Sequence, residues 1–133
     1  MAGRFVIHAH SGHGPRHYDL MLERGEALAT WQFAQDPVET GGRRPARARR
    51  IQDHRLAYLT YEGPVSGGRG RVDRIDAGTC KLLAVAEERW EFDLCGQRLT
   101  GRFELRRAGD RREPWVFRAV SSPATSSPDA QEA

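Results

Sequence analysis

Alternation with period two runs through most of this 133-residue chain, and it excludes most folds at the outset. A strand sends successive side chains to opposite faces, so apolar residues at every second position mark a half-buried sheet. In "RFVIHAH", Phe5, Ile7 and Ala9 take one face, and Val6, His8 and His10 take the other. In "HYDLMLE", Tyr18, Leu20 and Leu22 form the apolar face, with His17, Asp19, Met21 and Glu23 opposite. Gly25–Glu26 reads as a turn, and "ALATWQF" as the returning strand. Further strands are predicted in "ARRIQDH", "RVDRIDAGTCKLLAV" and "PWVFRAV", and "RWEFDLCGQRLTGRFELRRA" reads as a hairpin turning near "CGQ". No long amphipathic helix is present. The pattern predicts an all-β domain over residues 1–120, a compact small β-barrel of about six to eight mostly antiparallel strands with little helix. The last segment, "SSPATSSPDAQEA" (121–133), has too little apolar surface to offset its ordering entropy and is predicted to be a disordered tail.

Composition narrows the class. Apolar residues make up 38% and charged residues 29%, which suits one soluble globular domain. No apolar run approaches the ~20 residues of a membrane span. The segment "MAGRFVIHAH" lacks the apolar core of a secretory signal. These features predict a cytoplasmic monomer without a membrane partner. Cys80 and Cys95 have no CxxC spacing and read as two buried thiols unless the fold pairs them. Of the 21 basic residues only Lys81 is lysine; the others are arginine. Arg43, Arg44, Arg47, Arg49, Arg50 and Arg55 cluster around His54. Such a cluster is either a solvated surface or a phosphate-binding one, since guanidinium forks match phosphate oxygens.

Four of the five histidines, His8, His10, His13 and His17, crowd into one short stretch that Asp19 closes. His17 and Asp19 are two apart on one strand, so their side chains leave the same face about 7 Å apart at the backbone. If the first two strands pair through "SGHGPR", His10 approaches both. Two imidazoles and a carboxylate form a three-ligand site with open positions, suited to Mn²⁺, Fe²⁺ or Zn²⁺. The competing reading is that these histidines decorate a loop and two strand faces. His8 shares the face of His10 and is a candidate for support behind the ligands. His13, between two glycines, either reaches a substrate or nothing.

"RFVIHAH…HYDLMLE", "ALATWQF", "IQDHRLAYLTYEG", "GTC" and "GQRLTGRFELRR…PWVF", in this order, resemble the 3'-phosphoesterase domain of bacterial DNA ligase D and its stand-alone relatives. The resemblance implies a β-barrel with a Mn²⁺-dependent site, Zn²⁺ or another divalent cation fitting the same ligands. It also implies trimming of DNA or RNA–DNA 3' ends, by removal of a 3'-ribonucleoside and then a 3'-phosphate, during break repair beside a polymerase or ligase. By position it implies His10, His17 and Asp19 as metal ligands. It implies His54 as the catalytic histidine at the phosphate, with Tyr58 at the same site. Family arginines fall on Met21 and Ala46, so Arg47 or Arg49 is expected to substitute through a register shift, with Arg50 tracking DNA and Arg69 entering from "SGGRG". The alternative is a catalytically weakened module of the same fold that binds DNA ends.

Overall fold

Large apolar side chains on one phase of each strand must be buried together, and in this chain the sheet does so by curling onto itself. The computed structural model describes residues 3–108 and 111–120. In chain order the elements are β1 (Gly3–Ser11), β2 (His17–Arg24), β3 (Ala27–Phe33), a short helix α1 (Pro37–Thr40), β4 (Ala46–Arg55), a 3₁₀ turn (Leu56–Leu59), β5 (Gly63–Pro64), β6 (Arg71–Val85), β7 (Arg89–Gly96), β8 (Thr100–Arg107) and β9 (Trp115–Ala119). Pairing runs β1-β2-β3-β4-β9-β8-β7-β6, and β6 returns to β1, which closes an eight-stranded antiparallel barrel. The two-residue β5 adds to β6 outside the ring. Closure removes the open edges through which sheets aggregate. The tail predicted over 121–133 lies outside the described residues.

Strand β6 serves two neighbours. Residues Arg71–Cys80 pair with β1, and Gly78–Val85 pair with β7. At their overlap, a Cβ on Gly78 would stand 2.0 Å from the Cys95 carbonyl oxygen, so only glycine fits. The inward phase fills the barrel with Phe5, Ile7, Leu20, Leu22 and the aromatic set around Trp31. Trp31 meets Trp90 and Trp115 edge-on at 4.9 and 5.6 Å between ring centres. Such rings bury roughly 150–250 Å² each and dominate core energetics. Cys80 belongs to this core, and burial pushes its thiol up to about 12. Cys95 is exposed on the opposite phase, so only one of the two thiols is buried, and neither forms a disulfide.

A second, smaller apolar cluster sits on the outside of the barrel. Val6, Met21 and Leu28 form its floor, and the 3₁₀ turn covers them with Leu59, Leu56 and Tyr58. The outer phase of β1 and β2 is therefore partly buried, which alternation alone does not show.

Two buried carboxylates pin the strands. Asp76 accepts backbone N–H bonds from Gln97 (2.9 Å), Arg98 (3.2 Å) and Leu99 (2.7 Å), clamping the β7–β8 turn onto β6. Burial acts to raise the pKa of Glu104, but hydrogen bonds from Arg106, Arg89 and Arg118 outweigh it and hold the group at about 2. A depressed carboxylate pKa adds stability that is present above the ordinary value and lost as pH falls toward the folded one. Acid titration monitored by circular dichroism is therefore expected to show Glu104→Gln removing a stability loss between about pH 4.5 and 2. Asp76→Ala is expected to cost about 3 kcal/mol in urea denaturation, because four N–H donors, that of Ala77 included, lose a charged acceptor; a cost below ~1 kcal/mol would show that the clamp is not structural.

Candidate functional site

Register places the chemistry in rows across the outer face. Arg74, His8, Asp19, Gln32 and Arg49 lie opposite one another on β6, β1, β2, β3 and β4. One row away lie Val72, His10 and His17; on the other side lie Val6, Met21, Thr30 and Ile51. The β1–β2 ladder sets His10 directly against His17, so the loop "SGHGPR" brings the two imidazoles together.

One nitrogen from each histidine and one oxygen of Asp19 lie within 4.8 Å of one another. His10 Nδ1 is 3.1 Å from His17 Nε2, and His17 Nε2 is 3.8 Å from Asp19 Oδ2. Metal–nitrogen bonds of about 2.0–2.1 Å separate neighbouring donors by roughly 3.0–3.4 Å; the two imidazoles already stand at that spacing, and the carboxylate lies somewhat farther out. The outer nitrogens decide the tautomers. His10 Nε2–H donates to the Arg69 carbonyl at 2.6 Å, and His17 Nδ1–H donates to the Pro15 carbonyl at 3.4 Å. The two inner nitrogens, 3.1 Å apart, are then both left as acceptors, an arrangement that a positive centre between them relieves. Asp19 Oδ1 is buried and has no hydrogen-bond partner. Burial raises the Asp19 pKa, opposed by His17, His54, His10 and the Gln32 side chain; a cation would favour the charged carboxylate. The residues present fit a divalent metal.

The carbonyl that orients His10 depends on glycine. Gly70 has φ +81°, and a Cβ there would stand 2.0 Å from the Ser11 carbonyl oxygen. The 64–70 loop can thus press against the end of β1. The Arg69 guanidinium turns away and donates to Ser66 O (2.7 Å) and Oγ (3.0 Å). Arg69 was expected to contact phosphate; the structure instead brings its carbonyl to His10.

Behind the trio, His8 is buried with its Nε2 unpartnered, and burial lowers its pKa to about 4. Its ring centre lies 6.0 Å from that of Tyr58, and Tyr58 lies 5.4 Å from His54. His54 Nδ1–H donates to the Gln52 carbonyl at 3.0 Å, which leaves Nε2 for proton exchange. His13 is exposed, with its ring centre 6.4 Å from that of His10.

A bulge sorts the arginines of β4. Leu28 pairs with His54 and Thr30 with Ile51, so β4 uses three residues where β3 uses two. Arg47 and Arg49 therefore share the outer face with His54, while Ala46 and Ala48 point into the core. Arg49 grips Gln32 Oε1 at 3.0 and 2.6 Å, one strand from Asp19. Arg50 does not join the site: its guanidinium lies 4.6 Å from the centre of the Trp31 ring and 5.0 Å from that of Trp90. Met21 is fully buried in the outer apolar cluster.

Beside His17 opens a groove lined by His13, Arg16, Gln32, Arg49, Arg111 and Arg112, among others. Sequence reasoning missed Gln32, Arg16, Arg111 and Arg112. Gln32 was legible as the outward residue of β3. Nothing local ties "RRE" (111–113) to the histidines, because these residues reach the groove only once the barrel closes.

A profile of the DNA Ligase D 3'-phosphoesterase domain matches residues 7–107. The chain belongs to this family. It is 34% identical over 116 residues to a multifunctional non-homologous end joining protein LigD of Mycobacterium bovis, covering 80% of this chain and 15% of that protein. Two Mycobacterium tuberculosis proteins named multifunctional non-homologous end joining DNA repair protein LigD each match over 116 residues, at 34% and 33% identity. The chain thus corresponds to a small part of the length of these relatives. Among the described residues, no helix is long and apolar enough to cross a membrane.

In this phosphoesterase-family domain, His17→Ala is expected to abolish stoichiometric Mn²⁺ or Zn²⁺ binding in isothermal titration. Gly70→Ala is expected to weaken it about 10–100-fold by moving the Arg69 carbonyl away from His10. Unchanged affinity in Gly70→Ala would show that this carbonyl does not orient the ligand.

Proposed function

We propose that this domain is a divalent-metal-dependent phosphoesterase that trims 3'-ribonucleoside and 3'-phosphate ends of DNA during break repair. The observation that carries the reading is the convergence of His10, His17 and Asp19 beside a buried, unpartnered carboxylate oxygen, in a chain of the DNA ligase D 3'-phosphoesterase family. Mn²⁺ is the ion the family resemblance favours, and Zn²⁺ fits the same donors. The bound ion supplies Lewis-acid polarisation of a phosphate oxygen. His54 Nε2 gives a proton to the leaving oxygen as the phosphorus–oxygen bond breaks, and the attacking water restores it. The Tyr58 hydroxyl donates to a phosphate oxygen. Arg49, tied to Gln32, holds the phosphate's charge where the family arginines are replaced by Met21 and Ala46. Arg16 and Arg111 in the groove carry the strand's backbone. The partners we infer are DNA or RNA–DNA 3' ends and a repair polymerase or ligase, in the cytoplasm.

Met21 favours one second reading. Met21 is buried, and the Thr30 hydroxyl in the same row already donates to the Leu28 carbonyl, so that row offers no free donor to the phosphoryl group, which suits an end-binding module with weakened turnover.

The test uses a 5'-labelled primer–template ending in a 3'-phosphate or one 3'-ribonucleotide, with Mn²⁺. Product is expected from the wild-type chain and a loss of about 10²–10³ in rate from His54→Ala. Metal-dependent binding without product would establish the binding module instead. Arg49→Ala is expected to lower affinity across sequences and to reduce the slope of log affinity against log salt by about one.

A further inference from the structure

The centre has two unlike neighbours. On the His17 side lies the basic groove, with Arg16, Arg49 and Arg111 spaced along it. On the Tyr58 side lies a separate pocket of about 280 Å³, walled by Tyr58, Tyr61, Pro64 and Val65, with Ala57 completing the apolar lining. Among the described residues, Arg55 is the only charged one that lines it. The two cavities share no lining residue. The charged side therefore suits a run of phosphates, and the aromatic side suits one uncharged ring system.

The pocket's walls are held before any ligand arrives. The Tyr61 hydroxyl donates to the Pro64 carbonyl, which fixes its ring, and the ring stands at 89° to that of Tyr58 with centres 6.1 Å apart. Gly63 and Pro64 pair with β6, Val65 N–H donates to the Gly70 carbonyl at 2.8 Å, and Arg69 clasps Ser66. Tyr61 is nonetheless 38% exposed, so its ring is open to a stacking partner. The volume is near the lower end of the roughly 300–1,000 Å³ of ligand sites, room for a single base with its sugar.

Resting on the 3'-end reading above, the geometry points to a subsite for the terminal nucleoside. Its base stacks on Tyr61 while the strand that remains lies in the basic groove. The placement follows from the order of parts. Tyr58 belongs both to the pocket and to the cluster with His54, the group that protonates the leaving oxygen. What leaves beyond that oxygen is one nucleoside without a further phosphate, and the pocket offers apolar rings rather than a row of cations. Stacking reads a π-face rather than a hydrogen-bonding edge, so the subsite accepts any base.

The test is a primer–template whose 3'-terminal ribonucleotide carries 2-aminopurine, mixed with the full chain in EDTA so that no turnover intervenes. Fluorescence is expected to be quenched on binding by the wild-type chain, by Tyr61→Phe and by Tyr61→Trp, and quenched at least several-fold less by Tyr61→Ala. Anisotropy of a 5' label should stay within about twofold, since the groove still holds the phosphates. With Mn²⁺, Tyr61→Ala is expected to raise KM about tenfold for the 3'-ribonucleotide primer and to leave 3'-phosphate removal within twofold. Quenching that persists in Tyr61→Ala, no quenching by the wild-type chain, or an equal KM effect on both ends would overturn the subsite. Wild-type quenching without product in Mn²⁺ would retain the subsite and sink the hydrolytic reading, so the two failures are distinguishable.

Discussion

The closure of β6 onto β1 is the constraint on which the rest depends. It places β1 between two partners, so His8 and His10 are fixed from both edges and neither can swing with a free strand. It also separates the faces: the inner one packs Trp31, Phe92 and Phe117, and the histidine cluster stands outside. A chemical site on the outer wall of a small barrel would ordinarily be fully wet. Here the 3₁₀ turn brings Tyr58 against His8 and the 64–70 loop reaches His10, and both His8 and Asp19 are buried. Water is displaced where charge must be handled, which strengthens each electrostatic interaction there.

The same cover explains the arrangement around it. Gly70 lets the loop touch β1, and that contact supplies the carbonyl that orients His10. The 3₁₀ turn needs an apolar floor, and Val6, Met21 and Leu28 provide it. A long cation at position 21 would serve phosphate at the expense of that floor; methionine does the reverse. Positive charge is instead supplied from β4, where the bulge turns Arg47 and Arg49 outward. Arg50, between the bulge and Arg49, spends its charge over the indole rings of Trp31 and Trp90, where cation–π attraction outlasts screening by water.

The sequence by itself determined the strands, their faces and the trio of residues that could hold a metal. Strand periodicity is a local property of the backbone, so "HYDLMLE" had to put His17 and Asp19 on one face and Leu20 and Leu22 on the other. The tight link between the first two strands made the approach of His10 a short-range matter as well. Only the tertiary structure decided which arginines meet the site, because that depends on a bulge in β4 and on the β8–β9 loop arriving from the far side of the ring. It alone decided that Arg69 contributes a backbone carbonyl rather than its charge, that Cys95 is exposed, and that Tyr61 frames a pocket. Those outcomes arise from contacts between residues distant in the chain, and alternation within a single strand carries no information about what will be folded over it.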